Sequence, residues 1–581
     1  MHPATPVLSV TKDCLHLLFV VSRPEDADFI DPRADAAAVL DAIAEHAPGR
    51  VAVEFLRPAT LDALVAQLDD ERLPPVDILH FDGHGVFDRA GGILKDRKAA
   101  AGGVDSQSKE AAPEGAPHTG YLLFEDGEGQ SALVSARQLG EDLHRRKVAL
   151  VILSACQSAA QGGDEPMGGV AVRLTGSGIP AVLAMTHSVL VATTRALFGE
   201  FYKHLARGRS VGGALDLARA YLDRNPGKYE VQRGAERAPL RLYDWFLPAL
   251  YQSGEDKPLL ARSGVRDSSC TDSATGATGK MNLALREAGL PPRPEAGFFG
   301  RRRELWQIER YFVGKARRVS LIGFGGQGKT ALALEAGRWL VRTGLFDGAV
   351  FVNYAETPGR DAVAVAVAAL SAGLGESLTD AAAATVALGR VRCLVILDNL
   401  EILDAETLAQ LLGAAKAWSE AGGSRVLLTS RRPDFNHAGY KLQGTHQHRN
   451  LALSGLGGRD YPDDALDWFA VLWKLPPDPV APRPSREALM GLFEQVAFHP
   501  LSIRVLTAQL KTRRIAALGE RLEALLAEQK DRLGFENRVG LIESPSSERK
   551  QPKCHPYGFM KRRTVRWSFT TASPERPVPP S

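Results

Sequence analysis

VALVILSACQSA (148–159) is the strongest apolar run in the first half of this chain, and it ends on a potential nucleophile, Cys156. Working outward, short apolar runs alternate with amphipathic stretches. LHLLFVV (15–21) precedes a helix-like 34–46, VAVEF (51–55) precedes a helix around 60–70, and VDILHF (76–81) follows. On the other side lie AVLAM (181–185) and a long amphipathic helix across 192–206. That alternation predicts a mainly parallel α/β sheet. Within it, YLLFEDGEG (121–129) predicts a strand and hairpin turn, followed by a helix near 135–145. Residues 95–119, rich in Ala, Gly, Pro and Ser without apolar periodicity, predict a flexible insertion. The pattern stops near 255, after YDWFLPALYQ.

The chain has 581 residues, enough for two to four domains at about 100–200 residues each. Hydrophobic residues are 44% and charged residues 24%, the average of a globular protein. Lys and Arg number 71 against 68 Asp and Glu, and a net charge of +3 argues against a nucleic-acid partner. Even that excess is local. Residues 543–581 hold eight Lys and Arg against three Glu, so the rest of the chain stands at −2. Cys14, Cys156, Cys270, Cys393 and Cys554 follow no zinc or disulfide spacing and read as reduced thiols. The opening MHPATPVLSVTKDC lacks a basic stretch followed by a long apolar one, and no stretch approaches the ~18 apolar residues of a membrane helix. These points predict a cytoplasmic protein without membrane contact.

The first module is thus expected over 1–255 and a polar, breaker-rich linker over 256–296. A second alternating segment, 297–455, contains RVSLIGF (318–324), AVFVNYA (349–355), RCLVILDNL (392–400) and SRVLLTSRR (424–432), and predicts another α/β domain. Residues 456–540 have helical spacing, and 541–581 form a polar, basic tail expected to be disordered.

Gly323-Phe-Gly-Gly-Gln-Gly-Lys329-Thr330 fits G-x-x-x-x-G-K-[ST] between an apolar run and a helix-like stretch. Glycines at Gly323, Gly325, Gly326 and Gly328, with Gln327 between the last two, allow a tight loop whose N–H groups point at phosphates. Lys329 would reach the β/γ phosphates and Thr330 would ligate Mg²⁺. A Gly-rich turn with a chance Lys-Thr is the bland alternative. LVILDNLE puts Asp398 after four apolar residues, where a carboxylate can hold the metal through water. Asn399 follows instead of a second acid, which predicts slow hydrolysis and leaves Glu401 as the nearest carboxylate.

Residues 298–510 resemble the nucleotide-binding module of STAND-type, NB-ARC-like ATPases, with FFGRRREL (298–305) matching the opening motif and LLTSRR (427–432) the sensor. The resemblance implies an ATP/ADP switch with Mg²⁺, Thr429 and Arg431 sensing the γ-phosphate, and Pro500 of HPLSIRVL (499–506) near the adenine. It also implies nucleotide-dependent homo-oligomers. His499 stands where that family has Gly.

VDILHFDGHG (76–85) ends in His84, as the run at 148–159 ends in Cys156. C-terminal strand ends form the crevice of a parallel sheet, so the two side chains can meet. An imidazole that takes the thiol proton makes a thiolate able to attack a carbonyl, and the N–H groups of Gly85 and Cys156 can form an oxyanion hole. Alone, a Cys after a strand is more often a small core residue and a His more often structural, as His80 and His187 are read. Asp164 and Glu165 could line a pocket for a basic side chain or form a solvated loop.

FDGHG, GYLLFEDGEG, LSACQSA, GSGIPAVLAM, FYKHLARGRSVGGALDLAR and YDWFLPALY occur in the order of a CHAT domain, the caspase- and separase-like cysteine peptidase fold. This resemblance covers about 15–252 and implies His84 as general base, Cys156 as nucleophile, and Gly85 with Cys156 as oxyanion donors. Together the modules predict a nucleotide-regulated signalling protease cutting a protein partner, of a type found in bacterial defence and stress systems. No helical repeat follows 460, which leaves sensing to a separate protein or a longer chain. A non-catalytic scaffold is the main rival, and a transcription regulator ranks last.

Overall fold

The run at 148–155 lies in an eight-stranded sheet of a computed structural model, which describes residues 11–88, 119–157, 166–187, 189–233, 236–262, 289–440, 447–457 and 462–520. Its strands are β1 (Leu15–Val21), β2 (Val51–Phe55), β3 (Ile78–Asp88), β4 (Thr119–Glu125), β5 (Ser131–Ser135), β6 (Leu150–Gln157) and β7 (Ala181–Met185). A two-stranded hairpin follows, β8 (Gly227–Arg233) with β9 (Glu236–Leu242), and β10 (Pro248–Gln252) returns to the large sheet. The order β10-β7-β6-β3-β1-β2 is parallel from β2 to β7, with β10 antiparallel on β7. The β4–β5 hairpin adds to the far end of β3.

Helices cover both faces, so the central strands have no solvent side and need the unbroken apolar runs seen in the sequence. Helix starts are marked by side chains that accept from free N–H groups, including Thr60, Ser135 and Ser210. The strand carrying FDGHG stays regular through its glycines. At Gly83 a Cβ would lie 2.8 Å from the Phe81 ring and 3.3 Å from the Ser22 carbonyl, so the close approach needs glycine.

The second sheet is all parallel, in the order β12-β13-β14-β11-β15: β11 (Arg318–Ile322), β12 (Gly348–Asn353), β13 (Cys393–Asp398), β14 (Arg425–Ser430) and β15 (His448–Ala452). Helices Pro462–Lys474, Arg486–Gln495 and Pro500–Leu510 follow. Both sheets lie in one compact unit, Met1–Arg513, and share a core. The Phe55 and Trp339 rings meet edge to face at 6.4 Å, and Leu305, Ile308 and Leu340 join the cluster that contains Phe19, Phe198 and Phe201. Of the second unit, Arg514–Ser581, only 514–520 are described, 515–520 being helical.

Three expectations change. Residues 256–262 are packed structure and not linker: Leu259 and Leu260 are buried, the Lys12 N–H donates to the Leu259 carbonyl, and Asp256 accepts from Ser210 and Gly212 at a helix start. At the other end of that span, the Gly289 carbonyl accepts from the Phe351 N–H and Leu290 packs on the shared core. Cys14 is disulfide-bonded, against the expectation of five reduced thiols, while Cys393 is buried and free. The cytoplasmic expectation loses that support, because disulfides are rare in a reducing cytosol. Of the insertion expected at 95–119, residues 95–118 lie outside the described residues and Thr119 already belongs to β4; the tail lies outside them too. No helix among the described residues is long and apolar enough to cross a membrane.

Candidate active site

β3 and β6 are parallel neighbours whose register runs from Ile78↔Leu150 to Gly85↔Gln157 and sets His84 beside Cys156. In-register positions on adjacent strands share a sheet face, and these two lie at the C-terminal ends where a parallel sheet opens its crevice. The Cys156 side chain, with Asp164 and Glu165, lies outside what is described.

His84 is 2% exposed. Its Nε2 is 2.7 Å from the Asp28 carbonyl oxygen, which can only accept, so Nε2 carries the hydrogen. Nδ1 therefore keeps its lone pair, buried and without a partner among the described residues. Burial lowers the His84 pKa; the Asp28 carbonyl opposes this and the Arg23 charge adds to it. The ring is neutral near pH 7, in the tautomer that can take a proton on Nδ1.

Beneath the histidine lies a polar network that sequence reasoning passed over. The buried Arg23 pairs with Asp82 at 2.6 Å and donates to the Ser22, Asp82 and Ile30 carbonyls, while its own N–H donates to Glu125. Burial pushes the Asp82 carboxyl up, and Arg23 limits the rise. Asp35 accepts from Ser154, two residues before Cys156, at 2.5 Å and from Thr194 at 2.7 Å, and burial raises its pKa too. The available signal was the charged stretch SRPEDADFID directly after β1. Gly85 stands inside β3 with Leu122 on one side and Gln157 on the other. His80 is structural as read: its ring stacks on Phe19, and its Nδ1 meets the Tyr202 hydroxyl at 3.1 Å. No group of three or more His, Cys, Asp or Glu among the described residues is placed to hold a metal.

At the end of β11 the glycine loop leads into helix Lys329–Arg342, with Gly326 and Gly328 at positive φ. Lys329 donates to the Gly323 and Phe324 carbonyls. Thr330 donates to Asp398 at 2.9 Å, and Thr429 donates to the same carboxyl at 2.5 Å. Burial raises the Asp398 pKa, with the two hydroxyls opposing. Gln327 accepts from the Phe324 N–H. Arg431 pairs with Glu401 Oε1 at 2.9 Å beside Gly325, while Glu401 Oε2 is buried without a partner among the described residues. Asn399 donates to Asn353 and Asp398. Pro500 opens its helix, and the preceding His499 accepts from the Ser502 N–H and donates to the Gly325 carbonyl at 2.9 Å. Lys329, Thr330, Asp398, Thr429 and Arg431 gather at this loop, and His499 and Leu501, on either side of Pro500, bond to Gly325 and Gly326.

The first sheet thus sets a histidine and a cysteine position side by side at the C-terminal ends of two parallel strands. Residues 4–254 match the family model of the CHAT domain, which is of the caspase-like, protease-related type. The match covers less than half of the chain and stops before the second sheet. No curated protein matches the chain.

Proposed function

We propose that this chain is a cysteine endopeptidase whose Cys156/His84 pair cleaves a protein partner under the control of a nucleotide switch. The observation that carries the peptidase reading is the pairing of positions 84 and 156 with the free Nδ1 lone pair. His84 Nδ1 takes the thiol proton, and the Cys156 sulfur attacks the scissile carbonyl carbon. The oxyanion draws on the Gly85 and Cys156 N–H groups, which requires the end of β3 to open from its neighbours. Collapse passes the proton from His84 to the leaving amine, and water then hydrolyses the thioester.

The glycine loop fits ATP or ADP with Mg²⁺ by the chemistry of its donor set. Lys329 and the first N–H groups of its helix would hold the phosphates, Thr330 and Asp398 the Mg²⁺, and Thr429 and Arg431 the γ-phosphate, with Pro500 against the base. Bound nucleotide supplies the differential contacts that favour one arrangement of the switch over another. For that the loop exchanges internal bonds: Lys329 leaves the Gly323 and Phe324 carbonyls, and Thr330 turns from Asp398. Asn399 carries an amide where a second acid would activate water, and Glu401 is tied to Arg431 through one oxygen while its Oε2 stays buried without a partner among the described residues; in this reading turnover is slow. In this reading ATP promotes homo-oligomers, a separate protein serves as sensor, and the setting is bacterial defence or stress signalling. A cytoplasm supplies both ATP and a reduced Cys156; the Cys14 disulfide is the observation pulling the other way.

The test compares the full chain with Cys156→Ala, each with ATP or ADP, using an electrophilic peptide probe and a peptide library. Labelling and cleavage confined to the chain with Cys156 are expected. Equal labelling of both, with no cleavage under either nucleotide, would favour the scaffold reading, in which the first module only docks partners.

A further inference from the structure

The loop Ser22–Asp31 supplies the carbonyl that sets the His84 tautomer, and much of its anchorage comes from the second module. Helix Arg302–Val313 lies against it. Arg302 pairs with Asp31 at 3.1 Å, and the Arg303 guanidinium sits 4.5 Å from the Phe29 ring centre. Arg310 donates to the Arg23 carbonyl at 3.2 Å and faces Glu25 at 3.6 Å. Phe29 and Asp31 follow Asp28 closely, and Arg23 and Glu25 precede it, so the contacts straddle the carbonyl that holds His84. The β4–β5 hairpin completes the seat. The Gly129 carbonyl accepts from the Glu25 N–H, and a Cβ at Gly129 would lie 1.7 Å from the Arg310 guanidinium. The same helix is fixed at its start by the other site. Arg301 donates to the Gln327 carbonyl of the glycine loop at 3.0 Å and to the Ser454 carbonyl at 2.7 Å, and Arg302 also pairs with Asp464 at 2.7 Å.

Resting on the peptidase reading above, we infer that Arg302, Arg303 and Arg310 are positioning residues for His84, so that the Cys156 site is completed only when the second module grips loop Ser22–Asp31. None of the three touches the histidine. They act through the Asp28 carbonyl, whose place fixes which ring nitrogen is free. An arginine fork holds backbone and carboxylate in one geometry, which a solvated loop of this charge would not keep by itself.

The experiment uses the full chain, the triple variant Arg302→Ala/Arg303→Ala/Arg310→Ala and the milder Arg310→Ala. Arg342→Ala is the control, because it removes a pairing between the modules, with Asp41, that does not reach the loop. The rate of Cys156 alkylation by iodoacetamide, followed by mass spectrometry, is read against pH, and exchange of the His84 C2 hydrogen is read on the same samples. The expected result is alkylation at pH 7 slowed about tenfold in the triple variant and less in Arg310→Ala, with the rate profile moved toward that of an ordinary thiol at about 8.5. His84 exchange should then titrate nearer 6.5, Arg342→Ala should match the parent, and Arg302→Lys should recover part of the loss. Unchanged profiles in a folded triple variant overturn the inference, as does an equal effect of Arg342→Ala. If the parent's Cys156 itself behaves as an ordinary thiol, the peptidase reading fails. The His84 exchange then still decides the clamp, supporting it if the triple variant differs and overturning it if not.

Discussion

At the rim of the first sheet the His84 Nδ1 is buried with no partner among the described residues, whereas at the rim of the second sheet Lys329, Thr330, Asp398 and Thr429 all bond to one another or to their own loop. Each site occupies the crevice end of a parallel sheet, so topology does not separate them. A buried acceptor left open costs stability and calls for an explanation. A cluster that is already satisfied must trade its internal bonds for those of a ligand, which couples binding to a change of shape. One site holds an open nitrogen, and in the other these four side chains already have partners.

The contrast breaks first at His84. In His84→Ala, labelling of Cys156 by the electrophilic probe should fall by about 10²- to 10⁴-fold, the usual worth of a positioned base. A fall of less than about threefold would remove the open nitrogen from the chemistry. The second site is tested by Lys329→Ala, read by titration with a fluorescent ATP analogue. Loss of the ammonium should weaken binding by about 100-fold, as for other charge-assisted contacts to phosphate. Undiminished affinity would mean that the loop's internal bonds are its final state.

The smallest effect sharpens what burial alone does to a histidine on β3. His80 is fully buried, and its pKa is pushed down to about 3 by burial. Between that value and 6.5 the unfolded chain binds the extra proton, so stability rises with pH; the contribution is complete above 6.5 and is lost as pH falls below it. At pH 5 the loss relative to pH 7.5 is about 2 kcal/mol. His80→Phe should show a correspondingly shallower fall in denaturant midpoint between those pH values, whatever its offset at pH 7.5 from leaving the Tyr202 hydroxyl unpaired. Parallel curves for the two proteins would show that His80 does not set the slope.

Strands buried on both faces were legible because their chemistry is in their side chains: AVLAM (181–185) is β7 residue for residue. The elements missed owe more to the backbone. β15, HRNLA, carries two apolar residues and earns its place by pairing with β11. β8 and β9 are highly charged and pair only with each other. At the candidate site, His84 and Cys156 could be picked out as residue types at strand ends, and the register joined them. The Asp28 carbonyl could not, because every residue has one and only the path of the chain aims it. FFGRRREL illustrates the opposite hazard. Read as a motif it pointed to its own module, while Arg302 and Arg303 also face across to the other.

The Phe55–Trp339 contact has a consequence in time. Synthesis proceeds at about 5–20 residues per second, so the first module leaves the ribosome many seconds before Trp339 does. For that interval its Phe55 face is bare and loop Ser22–Asp31 has no arginines against it. A nascent chain therefore lacks the Arg302, Arg303 and Arg310 contacts to that loop until the covering helix has been made.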